Sequence, residues 1–502
     1  MDIGNLIYGF EIALSWNNLG FCLIGVTLGT LIGVLPGIGP LATFSILLPI
    51  SFYLPPVGAL ILLSGVYYGA QYGGSITSIL VNVPGEASTV VTCIDGHKMA
   101  LQGRAGSALA IAALGSLFAG CVTTLIIAVA GPALVKVALM FGPEEYVALL
   151  TLGLLSAVLL SGGSVSKSLG MVLVGIFLSL VGIDVNAGID RFTFGFLELS
   201  DGLGFTAVSI GMFGIAEIAR SLEETQGRGH QVQKFSSLWP TREDIKRSIA
   251  PVLRGTALGT FLGILPGGGG TIASFSAYSL ERQVARNPKE FGNGAVEGVA
   301  GPESANNAAA QANFIPMLSL GIPPNALMAL MMGAMIMHGI APGPQVMTSH
   351  PDLFWGLIAS MWIGNLMLVV LNLPMIGVWV SFLSIRYIYL FPGILVLASV
   401  GAFAESGRAF DIYVLIFFAV AGYVLTKMRF PIAPMLLGLV LGRILEEQLR
   451  RALLLSDGNW LTFVERPISL AIFIVTLLLA ALTVAPSLRR RRTEVLGDGD
   501  DN

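Results

Sequence analysis

Residues 28–39 read LGTLIGVLPGIG and residues 258–269 read LGTFLGILPGGG, eight identities in twelve positions at an offset of 230. Two further pairs follow in the same order: ATFS at 42–45 with ASFS at 273–276, and VPGEA at 83–87 with IPPNA at 322–326. Ordered blocks of this kind mark an internal duplication, so whatever the first LPG segment builds, the chain builds twice. The longer offset of the third pair fits an insertion around ERQVARNPKEFG, residues 281–292.

The blocks sit in apolar surroundings. Of the 502 residues, 54% are hydrophobic and 11% charged, where a soluble protein carries about 25% charged residues. So few charges do not cover a soluble surface. Apolar runs at 58–82, 107–130, 145–160, 168–183 and 205–220 precede a polar stretch from Glu223 to Arg247. Others follow at 303–322, 325–347, 353–372, 390–405, 411–426, 430–445 and 467–486. Several are short for a hydrocarbon core of about 30 Å, and short or Gly/Pro-broken runs at matching places point to a transport site. A net charge of −3 argues against nucleic acid, which asks for a clustered basic surface. Cys22, Cys93 and Cys121 form neither a disulfide framework nor a metal motif. The sequence has no HExxH and no GxSxG, and GGGGT after Pro266 lacks the lysine of a nucleotide loop. Neither an enzyme nor a cofactor is expected.

Basic residues orient the copies. No Lys or Arg precedes Lys98, whereas the second LPG segment lies between Lys246, Arg247 and Arg254 on one side and Arg282, Arg286 and Lys289 on the other. Lys98 and Arg104 then follow the first copy, while 290–385 holds no Lys or Arg. By the positive-inside rule the two copies run in opposite senses. The expected fold is an all-α polytopic membrane protein with inverted-topology repeats, two re-entrant hairpins and about 11 crossings. Each hairpin is expected to have arms of about 8–17 residues, short of a full span.

The chain divides accordingly. Residues 1–19 form an N-terminal interfacial segment, without the basic region of a signal peptide. Residues 20–220 form the first repeat, with its hairpin near 36–40, and 221–250 a cytoplasmic linker. The second repeat covers 251–445, with its hairpin near 266–271. A loop and final helix at 446–488 lead to a basic, then acidic cytoplasmic tail at 489–502. The N-terminus is outside and the C-terminus inside. Arg450 and Arg451 are the exception, being placed outside beside Glu446 and Glu447.

A Pro-Gly break at membrane depth frees backbone groups that only protein or a wet cavity can satisfy. A helix that starts there aims N–H groups at an anion, and glycine lets the anion come close. Gly37, Gly39 and Thr43 at the first tip, and Gly268, Gly269, Gly270 and Thr271 at the second, are the candidates. Gln71, Ser75, Ser78 and Asn82 share one helix face, as do Glu303, Asn307 and Gln311, with Asn306 alongside. Such side chains bind carboxylates or sodium, or simply hydrogen-bond helices together. Glu86 and Glu303 are ionisable groups near membrane depth, and such groups are functional candidates. With Asn82, Pro84, Pro323 and Asn325 they are the ion-coupling candidates, for sodium or a proton. Asp95-Gly96-His97-Lys98 reads as a cytoplasmic turn and His338 as a capped turn residue. Asn372, outside both motifs, reads as a neutral position.

These segments carry a resemblance. GVLPGIGPLATFSILLPISF, YYGAQYGGSITSILVNVPGEAST, DGHKMALQGRAG, GILPGGGGTIASFSAYSLE, GPESANNAAAQANFIPMLSLGIP and HGIAPGP resemble the large membrane subunit of tripartite tricarboxylate transporters, from about residue 20 to 485. The resemblance implies gradient-driven import of citrate-like di- or tricarboxylates across a bacterial inner membrane. It also implies a periplasmic substrate-binding protein and a small four-helix membrane subunit as partners. The tips, Tyr68, Gln71, Ser75, Asn82, Asn306, Asn307, Gln311 and Pro323 to Asn325 fall on the family's motifs. From the residues alone, a stand-alone organic-anion carrier or channel remains the alternative.

Overall fold

The computed structural model describes residues 3–35, 39–161, 164–184, 187–216, 219, 220, 223, 239–265, 269–382, 392, 395, 396, 398–400, 402, 403 and 407–484. Pro36 to Ile38, Pro266 to Gly268, most of the linker, part of the 390–405 run and the tail from 485 lie outside them. The two tip candidates Gly37 and Gly268 therefore do so as well.

The described residues are helical apart from loops and one β-hairpin with two-residue strands, Gly182–Ile183 (β1) paired with Asp190–Arg191 (β2). Helix α1, Ile3–Ala13, is followed by α2, Trp16–Val34, α3, Pro40–Phe52, and α4, Pro56–Val81. After a 3-10 turn at Ala87–Thr89 come α5, Val90–Leu101, α6, Ala105–Ala138, α7, Pro143–Leu160, and α8, Val165–Ser179. Helix α9, Phe205–Ser209, passes into a π-helical segment, Ile210–Ile215. The second half begins with α10, Arg242–Ile264, α11, Gly270–Val284, and α12, Glu297–Ala312. It continues with α13, Phe314–Leu320, α14, Ala326–Met337, α15, Pro351–Asn372, and α16, Ile376–Phe382. Helices α17, Ala409–Lys427, α18, Ala433–Leu455, and α19, Pro467–Val484, complete the described chain. Among the described residues, α2, α6, α15 and α17 are long and apolar enough to cross a membrane by length and composition.

Local sequence accounts for the helix ends. Proline takes the first helical position of α3, α4 and α7, where its missing N–H costs nothing. Thr241 and Asp244 cap α10 reciprocally, at 3.1 and 3.2 Å. Asn82 (φ 59°) and Gly321 (φ 69°) stop α4 and α13 in the left-handed region. The sequence expectation fails at two places. The first arms of the LPG segments, α2 and α10, have 19 and 23 residues, longer than expected, because the helices continue well before the duplicated block. Asp95 to Lys98 lie inside α5 rather than in a turn, since nothing from 90 to 101 except Gly96 interrupts a helix.

Glycine rows decide which helices meet. On α2, Gly25, Gly29 and Gly33 face the carbonyls of Leu62, Val66 and Ala70 on α4, so closely that an added Cβ would collide with each oxygen. On α10, Gly255, Gly259 and Gly263 face the carbonyls of Gly301, Ala305 and Ala309 on α12 in the same way. The glycines differ by 230 in number and their carbonyl partners by 239. Small residues every four positions let the backbones close up, where lipid supplies no hydrophobic drive. The second arms cross over: α3 packs on α14, and α11 on the 3-10 turn and α5. Each lies against the segment after the Pro break of the other half.

Helix α15 passes behind α2, α4 and α6, burying Phe354 and Trp355. Helix α1 lies against α15, its Gly9 against the Trp355 carbonyl and Phe10 stacked on Trp362 at 5.7 Å. Outward faces are apolar, as on α17, where Tyr413, Phe417, Val420 and Val424 are 69, 67, 60 and 46% exposed. A stripe this large suits lipid rather than water. Charges pair at helix ends instead. Arg104 and Ser107 at the start of α6 hold Asp244 at 2.5 and 2.8 Å, and Arg247 holds Glu290 and Glu297 at 2.5 and 2.7 Å. The Arg247 guanidinium keeps the Glu290 carboxyl below its usual range. Arg450 is paired with Asp184 at 2.9 Å and Glu446 at 2.7 Å.

Candidate functional site

Two carboxylates meet the opposite half of the chain inside the helix bundle. Glu303 on α12 is 1% exposed. It accepts hydrogen bonds from Ser75 on α4 at 2.6 Å and from Thr92 on α5. Glu86, just before the 3-10 turn, accepts from Ser88 and from Asn306 of α12 at 3.3 Å. Both acids are held by hydroxyl and amide groups, and among the described residues neither forms an ion pair.

The helix rows explain why these groups converge. The glycine faces of α2 and α10 press the opposite polar faces of α4 and α12 toward one interior. Gln71, Ser75, Ser78, Asn306, Asn307 and Gln311 are all buried there. Asn307 donates to Ser116 of α6 at 2.7 Å and to the Glu303 carbonyl at 3.1 Å. The side-chain oxygens of Gln71, Asn306, Asn307 and Gln311, and the Ser78 hydroxyl, have no partner. A buried polar atom without a partner calls for an explanation. An amide turned end for end gives N–H donors to a carboxylate, and as it stands gives oxygen to a cation.

The tips border this lining. Gly269 is the N-cap of α11, and Gly270 opens the helix. A Cβ on Gly270 would strike Asn306 Oδ1, and the Ser88 side chain lies next to it. At Gly269, and at Gly39, the N-cap of α3, an added Cβ meets nothing within 4 Å among the described residues. Thr271 is half-buried, and Thr43 donates to the Gly39 carbonyl at 3.4 Å. The second tip thus combines free space, the positive end of a helix dipole and buried hydrogen-bonding side chains.

Other predicted residues stand apart. Tyr68 is fully buried but its hydroxyl packs under Gly364 of α15. Asn82 and Pro84 are exposed, outside the buried cluster, and Pro323 is buried in the loop before α14. Asn325 caps α14 through Met328 N at 2.9 Å and donates to the Tyr67 hydroxyl at 3.4 Å. Tyr67 also accepts from Asn313 at 2.7 Å. Tyr67, Ser88, Thr92, Ser116 and Asn313 were missed by sequence reasoning. Of these, Ser88 and Thr92 lie four apart, but the mixed composition around them gives that spacing nothing to stand out against.

Asn372, expected to be neutral, is buried and lines a cavity of about 20 Å³ together with Tyr72, Ser75 and Ser116, room for one water. Asp95 is fully buried. Its Oδ1 accepts from the backbone N–H groups of Gly292, Gly294 and Ala295 at 2.8, 2.8 and 3.0 Å, and its Oδ2 from Tyr278 at 2.9 Å. It fastens α5 to the loop that starts α12. His338 caps α14, with Nε2 3.1 Å from the Ser51 carbonyl.

Comparison with known proteins places this geometry. The family model for the tripartite tricarboxylate transporter TctA family matches residues 19–437. An "uncharacterized 52.8 kDa protein in TAR-I ttuC' 3'region" of Agrobacterium vitis is 54% identical over 498 residues, 99% of each chain. An "uncharacterized protein in TAR-II ttuC' 3'region" of the same organism is 53% identical over 242 residues, 48% of this chain and all of that one. No solved structure matches. A match across most of the chain, on a helical protein with several apolar helices and a polar interior, leaves a transporter family rather than an enzyme family: the chain belongs to the tripartite tricarboxylate transporter TctA family.

Proposed function

We propose that this chain is the large membrane subunit of a binding-protein-dependent secondary transporter that imports di- or tricarboxylates on a sodium or proton gradient. The observation that carries the reading is the open N-terminus of α11 at Gly269 above the buried lining of α4 and α12. A carboxylate is held there by backbone N–H groups of the tips and by Gln71, Ser75, Asn306, Asn307 and Gln311. No Lys or Arg lies in 1–97 or 290–385, so no fixed cation on these segments offsets the anion. Burying uncompensated charge is prohibitive. A co-bound cation at Glu86, Glu303 and nearby oxygens supplies the compensation, and that couples substrate to ion.

In this reading the duplicated halves are inverted repeats and the LPG segments re-entrant hairpins. The protein sits in a bacterial inner membrane with its N-terminus outside and C-terminus inside. A small four-helix subunit and a periplasmic binding protein complete it. The topology has a direct check. A single cysteine in 51–57 should react with an impermeant reagent from outside, and one in 284–290 only from inside. Reactivity of both from one side would end the inverted reading.

The function is tested by uptake of labelled citrate and other di- and tricarboxylates into cells producing all three components. Uptake should collapse when an ionophore dissipates the coupling gradient while ATP is maintained. Transport that survives loss of both gradients and stops on ATP depletion would overturn the energetics. Full uptake without the binding protein would identify a stand-alone carrier.

A further inference from the structure

The hydrogen bond between Asn306 and Glu86 has a counterpart in the other half. Tyr67 and Asn306 stand 239 apart in number, as do Glu86 and Asn325, the same offset that relates the carbonyl partners of the glycine rows. Asn306 donates to Glu86 at 3.3 Å, and Asn325 donates to the Tyr67 hydroxyl at 3.4 Å. Each pair joins α12 or α4 to the segment after the Pro break of the other half. The duplication builds this contact twice with opposite chemistry. One copy ends in a carboxylate, the other in an amide and a phenol.

Counting donors and acceptors shows what the second copy is suited to hold. The Tyr67 hydroxyl accepts from Asn325 and, at 2.7 Å, from Asn313, and among the described residues its own hydrogen has no acceptor. Asn325 Oδ1 accepts from Met328 N at 2.9 Å. The phenol O–H and one N–H of each amide are left over, three donors against one unpartnered acceptor atom, Asn313 Oδ1. Turning the Asn313 amide end for end lets Tyr67 satisfy that oxygen and frees both Asn313 N–H groups instead. Donors are in excess either way.

Tyr67 and Asn313 are 3 and 0% exposed, and leaving buried donors unpaired is costly. The cluster is partly exposed at Asn325, beside the positive dipole end of α14. Tyr67 stands one turn before Gln71 on the same face of α4, so the cluster adjoins the polar lining. Neutral donors in excess suit a carboxylate.

We propose that Tyr67, Asn313 and Asn325 form a second carboxylate subsite. It takes one carboxylate of a di- or tricarboxylate while the α11 tip, with its co-bound cation, holds another. The inference rests on the transport reading and deepens it, because two separate subsites select acids with at least two carboxylates.

The test uses the purified full-length protein in detergent with sodium chloride present. Its thermal unfolding is titrated with citrate, succinate and monomethyl succinate, since a ligand of the folded state raises the midpoint. The wild type should bind citrate and succinate about tenfold or more tightly than the monoester, whose one carboxylate goes to the α11 tip. Tyr67→Phe keeps the ring on Phe314 and should weaken citrate and succinate about tenfold, leaving the monoester unchanged. If Tyr67→Phe loses its folded elution peak, Asn325→Ser, which keeps an oxygen for Met328 N but lacks the amide donors, carries the same comparison. Unchanged citrate and succinate affinity would overturn the subsite. So would equal weakening of all three acids, which is the mark of a packing defect. A wild type stabilised by none of the three would instead count against the transport reading itself.

Discussion

Gly269→Val is expected to bring carboxylate uptake to background while the protein still inserts and still recruits its small subunit. The reason is local. At Gly269 (φ −53°, ψ 174°) the backbone is open to any residue, and among the described residues an added Cβ meets no atom within 4 Å. The valine therefore fits the protein and occupies space in front of the first N–H groups of α11, where an anion binds. Gly270 is the contrast, because its Cβ would collide with Asn306 and a loss there would report packing. Initial uptake rates at equal amounts of folded carrier, with saturating binding protein, decide the matter. Wild-type rates in Gly269→Val would show that the tip is a helix start and nothing more.

The helical membrane class was legible because composition and run length state it directly. The duplicated glycine rows were legible too, since a spacing of four means one helix face, and Gly25, Gly29 and Gly33 recur as Gly255, Gly259 and Gly263. What the rows touch was not legible. The offset changes from 230 to 239 between a glycine and its carbonyl partner, and only the folded chain brings the two registers together. The polar cluster was half legible for the same reason. Ser75 and Glu303 stand out as polar groups on apolar helices, but Thr92 does not, because α5 has an ordinary mixture of residues. The place of Asn372 was not legible, because distance in sequence from both motifs says nothing about a cavity wall built by α4, α6 and α15. Asp95 was misjudged because Asp-Gly resembles a turn, while its three N–H partners lie about two hundred positions away.

Glu303→Gln is the variant that separates transport from coupling. The substitution keeps the shape of the side chain, and both its neighbours are hydroxyls that donate or accept by rotating. The bundle should therefore hold, whereas the negative charge that offsets a co-transported cation is gone. Gradient-driven accumulation should fall to background, while exchange of labelled for unlabelled acid across the membrane persists. Ser75→Ala and Thr92→Ala leave the charge but remove one hydrogen-bond donor each, which costs about 1–3 kcal/mol if the carboxylate oxygen stays unpaired. That corresponds to roughly a 5- to 150-fold weaker dependence on the coupling ion. A purely structural Glu303 gives another pattern: accumulation and exchange decline together, in step with the amount of folded protein. Normal accumulation in Glu303→Gln would remove this residue from the coupling site and leave the half-buried Glu86, held by Ser88 and Asn306 beside the α11 N-terminus, as the acid to answer for the ion.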